Sequence, residues 1–177
     1  MTAPSTPGPP LSVRLLFDAF DELERVAEAL AGLDASGAPA AGADRLNSGG
    51  WIVAHVAKQQ DLYWNAELQG LERDAWLEDQ RVGFGDAPSA PDLAAAIEAF
   101  RRVRSRAIPW LRRLDPARLD EVVPRSPNMR REQRVGDLLS RSIAHLFAHA
   151  GELSAIASLA GGPDLGVPGR MTHSTRS

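Results

Sequence analysis

The chain has 177 residues, 44% of them hydrophobic, and sets 20 Lys+Arg against 23 Asp+Glu for a formal net charge of −3. That length suits one domain with a single substantial core, and so even a charge balance gives no global attraction to nucleic acid or to an anionic membrane. Cysteine is absent, which excludes disulfides, thiolate metal ligands and a cysteine nucleophile, so any metal must be held by His, Asp or Glu.

The opening MTAPSTPGPP has neither the basic n-region nor the apolar h-region of a signal peptide. No stretch approaches the ~18 apolar residues of a membrane span. A soluble cytoplasmic protein is expected. Residues 1–9 and the tail 163–177 are expected to lack fixed structure, leaving a domain over 10–162.

Four segments carry helical periodicity. The first runs from about Leu11 to Leu33, with Leu16, Ala19, Leu23, Val26 and Leu30 on one face and acidic residues opposite. The second opens at NSGGW, where Asn47 or Ser48 can cap, and continues to about Leu71. Its inward face is predicted to hold Trp51, Ile52, Leu62, Tyr63 and Ala66, with His55 in the middle and Gln59 one turn on.

The third begins at SAPDL, with Ser89 as N-cap and Pro91 in the first turn, and runs to about Leu114 with a kink at Pro109. Arg101, Arg102, Arg104, Arg106, Arg112 and Arg113 mostly project opposite its apolar residues, which reads as a solvated face rather than a nucleic-acid surface. The fourth runs from about Val135 to Ala160 and stops at Gly161-Gly162-Pro163. Pro- and Gly-rich connections fill 34–46, 72–88 and 115–134. Period-two alternation is missing, so the pattern reads as an all-α four-helix bundle, in which sites are built between facing helices.

The fourth segment contains SIAHLFAHAGEL, with His145 and His149 in an otherwise apolar run. At about 100° per residue, an i,i+4 pair differs by about 40° in azimuth and one turn in height, so both imidazoles share the inward face. His55 faces inward from the second helix, whereas His173 lies in the tail. Neutral imidazole is the commonest metal ligand. Three histidines meeting from two helices would make a site of the open type, with one position left for water or substrate. The alternative is three core histidines that only pack and hydrogen-bond. Leu146 follows His145, so the HExxH general base is absent, and Gln59 and Glu152 are the candidates for orienting ligands or moving protons.

Two further features invite a partner. Val53, Ala57, Gln60, Trp64 and Leu71 form a second stripe on the second helix. It is either a homodimer surface or is covered by the loop 72–88 with its Trp76 and Phe84. The loop PRSPNMRREQR carries Arg130, Arg131 and Arg134 into the fourth helix, where they would gather an anionic substrate.

NSGGWIVAHVAKQQDLYW (Asn47 to Trp64) and VGDLLSRSIAHLFAHAGEL (Val135 to Leu153) resemble the second- and fourth-helix signatures of the DinB superfamily. In the former a Gly-aromatic pair precedes a histidine and an acid follows about six residues later; in the latter HxxxH precedes Gly. The resemblance implies an up-down-down-up or related four-helix bundle. It also implies a divalent metal, most often zinc, with nickel, iron or manganese as alternatives, held by His55, His145 and His149. Family members include mycothiol-dependent maleylpyruvate isomerase and bacillithiol S-transferases, so the resemblance implies a metal-activated water or low-molecular-weight thiol and a homodimer. The competing expectation is a non-catalytic metal-binding or stress-response bundle.

Overall fold

A computed structural model describes residues 8–33, 47–83, 85–87, 89–127, 129, 131–166 and 168. Phe84, Arg130, His173, the loop 34–46 and most of both terminal stretches lie outside the described residues.

Helix α1 spans Leu11–Ala31. Helix α2 spans Gly49–Gln60 and passes without a break into a π-helical stretch, Asp61–Glu67. A short α3, Ala75–Asp79, precedes α4, Leu93–Leu111. A 3-10 turn at Pro116–Asp120 leads to the two-residue strands β1, Val122–Val123, and β2, Gln133–Arg134, which pair antiparallel directly before α5, Val135–Leu159. The four predicted long helices are therefore all present. The loop 72–88 differs from expectation in containing α3, which is capped by the Asp74 carboxylate accepting from the Leu77 N–H.

Side-chain contacts define the helix directions. Arg101 of α4 bonds Glu24 and Glu28 of α1, while Arg104 reaches Asp21 and Glu24, so α1 and α4 run antiparallel. Asn65 and Gln69 donate to the carbonyls of Val103 and Arg106, so α2 and α4 run parallel. His55 meets His145 and Tyr63 meets Arg141, so α2 and α5 run antiparallel. The order is up-down-down-up. One core of α1, α2, α4 and α5 fills the bundle, with Phe20 and Phe100 edge-to-face at 5.8 Å.

The helix starts follow capping chemistry. Of the two possible caps for α2, Ser48 serves, its hydroxyl accepting from the Trp51 N–H at 3.1 Å. The predicted cap of the third helix is corrected: Asp92, not Ser89, accepts from the Ala95 N–H at 2.8 Å. Ser89 instead donates to the Arg81 carbonyl at 2.6 Å. An Asp immediately before the helix leaves no role for a serine on the far side of Pro91. The helix continues past Pro109 and ends at Leu111, short of the expected Leu114.

The α2 start explains the glycine of GGW. A Cβ on Gly50 would lie 1.9 Å from the Pro91 carbonyl oxygen, a backbone atom that cannot swing aside. The parallel packing of α2 on the entry to α4 needs a hydrogen there. Gly50→Ala should destabilise the fold by roughly 1–3 kcal/mol, as forced overpacking does, read as a lowered urea midpoint at constant m. Unchanged stability would show that the two helix starts are not tightly apposed.

The second stripe of α2 is not a surface. Val53, Ala57, Gln60 and Trp64 are fully buried, with the Trp64 ring 6.4 Å from Trp110 of α4. Of its five residues only Leu71 stays exposed, at 39%.

Candidate metal centre

Helices α2 and α5 bring His55, His145 and His149 together. His145 Nε2 stands 3.2 Å from His55 Nε2 and 3.0 Å from His149 Nε2, and the three candidate ligand atoms lie within 4.8 Å of one another. Beyond these two helices, the loop after α3 matters, because the Val82 carbonyl lies 2.6 Å from His55 Nδ1. A carbonyl only accepts, so His55 Nδ1 carries the proton and its Nε2 presents a lone pair. On α5 the Glu152 carboxylate takes the same role at 2.8 Å from His149 Nδ1. Both partners fix the tautomer that a metal requires and orient the ring.

The Trp51 indole lies flat against His55, with ring centroids 4.8 Å apart and 11° between planes. Lys58, the chain's single lysine, donates to the Gln80 carbonyl at 3.0 Å and so ties α2 to the segment that supplies Val82.

With the His55 and His149 lone pairs both turned towards His145 Nε2, a proton on that nitrogen can satisfy only one of them, whereas a cation between the rings can take all three nitrogens. Nitrogens bound at ~2.0–2.1 Å to one tetrahedral ion are roughly 3.3 Å apart, and the 3.0 and 3.2 Å separations here come close to that. The donor set of neutral imidazoles suits zinc and its neighbours in the transition series. Electrostatics agree. Burial pushes His55 below the ordinary imidazole value, more strongly than its bond to Val82 raises it. His145 is pushed down to about 3, first by burial and then by the charges of His149, His55 and Arg141. Neutral imidazole, the metal-binding form, is therefore favoured. His145 Nδ1 is buried and has no hydrogen-bond partner among the described residues.

The remaining candidates sort by contact. Glu152 is at the site, through His149. Gln59 instead accepts from Gln60 Nε2 at 3.3 Å, and Gln60 accepts from the Trp64 indole N–H at 2.7 Å. Asp61, the acid of the NSGGW segment, faces α3 and α4. It accepts from Asn65 Nδ2 and the Asp74 N–H, both at 2.8 Å, with Arg106 at 3.5 Å.

Of the basic loop's three arginines, Arg130 lies outside the described residues, Arg131 is exposed, and Arg134 donates to the Asp120 carbonyl at 2.9 Å. On α4, Arg101 and Arg104 are held by acids of α1, Arg102 by Asp74 and Arg106 by Asp61, while Arg112 and Arg113 are exposed. Much of the predicted solvated face is thus a set of ion pairs. Val82, invisible to side-chain motifs because it acts through its backbone, is the site residue that the sequence conceals. Trp51 was discernible, sitting one turn before His55 on the same predicted face.

Fold and site together define a class: four-helix bundles with a three-histidine cluster that could hold a metal, two histidines from one helix and one from a facing helix. The family profile described as DinB superfamily matches residues 18–153, and the chain belongs to that superfamily. No curated protein matches the chain.

Proposed function

We propose that the protein is a metal-dependent enzyme in which His55, His145 and His149 hold one divalent cation, zinc foremost, with a water or a low-molecular-weight thiol as nucleophile. The observation that carries this reading is the convergence of three Nε2 atoms, two of them held in the ligating tautomer by Val82 and Glu152. Such a cation lowers the pKa of a water or thiol beside it and so yields a nucleophile at neutral pH.

The chain supplies the rest. Val82 and Glu152 keep the Nδ1 protons of His55 and His149 turned away from the centre. Trp51 covers one face of the His55 ring and keeps water from it. Three protein ligands to a tetrahedral ion leave one position for the reacting group, the arrangement of catalytic rather than structural sites. Thiol use is suggested by the family resemblance; with no cysteine in the chain, the thiol must arrive as a co-substrate.

The test is metal-loaded protein with mycothiol or bacillithiol and a panel of electrophiles, followed by thiol loss. Consumption that stops on chelation and resumes on zinc addition supports an S-transferase or isomerase. Stoichiometric metal with neither thiol consumption nor hydrolysis would replace this reading with a metal-binding module. Absence of metal from protein purified without an affinity tag would remove both.

A further inference from the structure

Arg141 lies one turn before His145 on α5, so Arg141, His145 and His149 follow one another at i,i+4 spacing along one side of the helix. It is half-buried, and its only hydrogen bond among the described residues is from Nη1 to the Tyr63 hydroxyl at 3.3 Å. Tyr63 sits on the π-helical stretch beyond His55 and is 7% exposed. Its oxygen accepts from Arg141, and its own proton has no acceptor among the described residues.

This arginine is unlike the others. Among the described residues, the other half-buried arginines, Arg25, Arg73, Arg101, Arg104, Arg106 and Arg118, each hold a carboxylate. Arg141 holds none, and Glu67, one turn beyond Tyr63, is engaged by the Ser126 hydroxyl at 2.8 Å. A guanidinium taken partly out of water without a counter-charge is disfavoured, and more so beside a centre built for a second cation.

The geometry points to Arg141 and the Tyr63 hydroxyl as a carboxylate-binding subsite, which selects a substrate with a carboxylate about one helical turn from its reacting atom. The guanidinium offers paired N–H donors matched to a carboxylate, and the phenol adds a third beside them. The inference deepens the proposed function, since it rests on the histidines being where the reaction occurs.

The test uses propionate and its neutral counterpart propionamide as probes, on zinc-loaded and on chelator-treated protein. The Arg141 Nε–Hε resonance, assigned by its loss in Arg141→Met, should shift saturably with propionate and not with propionamide. Propionate should bind about tenfold more weakly to Arg141→Met, with Arg141→Lys between the two. The chelator-treated arm removes direct coordination of propionate by zinc.

An unmoved Arg141 resonance, or equal propionate affinity in wild type and Arg141→Met, would overturn the subsite. The two readings fail separately. Zinc retained without a propionate response sinks the subsite alone, whereas a response without stoichiometric metal sinks the metal-centred function and leaves the subsite.

Discussion

Replacing His145 with alanine should abolish stoichiometric metal binding yet leave the metal-free protein about as stable as wild type. His145 Nε2 is the middle atom of the cluster, 3.2 Å from His55 and 3.0 Å from His149, and without it one imidazole from each of two helices remains. Two such ligands are one short of the three that open catalytic sites use. In the metal-free state the His145 ring is a mixed asset. It fills space, but its Nδ1 is buried without a partner among the described residues, and its Nε2 can donate to only one of the two lone pairs it faces. Removing it loses packing and relieves an unsatisfied polar group, and the two effects oppose each other.

Metal at a hundredfold excess over Kd stabilises a binding-competent fold by about 2.7 kcal/mol, or roughly 5–10 °C in Tm for a chain of this size. Thermal unfolding with zinc and with chelator should show that shift in wild type and none in His145→Ala. Equal shifts in both would place the metal elsewhere in the protein.

The meeting of the three histidines was legible because they obey helical arithmetic. His145 and His149 lie one turn apart in α5, and His55 precedes the irregular part of its own helix. The family resemblance lay in the same two segments, and the profile match extends over residues 18–153. What failed to project was the second half of that helix. The inward stripe extended from Trp51 through Leu62, Tyr63 and Ala66 at 100° per residue; Tyr63 is buried as projected, but Leu62 and Ala66 are only partly so, and Asp61, Trp64 and Asn65 are buried as well. From Asp61 to Glu67 the chain is π-helical, with i→i+5 bonding that turns less per residue, so a fixed-period projection drifts off the true face.

The same stretch hid the fate of the Trp64 stripe. A helix whose two apolar stripes are both covered, one by α5 and the other by α4, looks from its sequence like a helix with a spare surface. Val82 was concealed for another reason, since any residue has a carbonyl to offer and only the tertiary fold brings this one to His55.

The second large effect belongs to that irregular segment. Asp61→Ala should lower stability by on the order of 3 kcal/mol while leaving metal content per folded molecule unchanged. Asp61 is 0% exposed, and each of its oxygens is committed: Oδ1 to Asn65 Nδ2 and towards Arg106, Oδ2 to the Asp74 N–H. Asp74 in turn caps α3 and binds Arg102 of α4, so one carboxylate joins the π-helical stretch, the start of α3 and α4.

Alanine would leave Asn65 Nδ2 with only the 3.3 Å contact to Val103 and strip the Asp74 N–H of its acceptor. Asparagine should rescue little, because its NH2 would turn one of two accepting positions into a donor facing another donor. Arg106, whose side chain is 31% exposed, can turn to solvent, so Arg106→Met should cost less than Asp61→Ala, and their cycle measures the coupling. Urea unfolding of the four proteins, with zinc analysis of the folded fractions, decides the matter. Folded, normally stable Asp61→Ala that has lost its metal would make Asp61 part of the centre. Its position on the α4 side of α2, with the histidines on the α5 side, argues that the fold and not the metal depends on it.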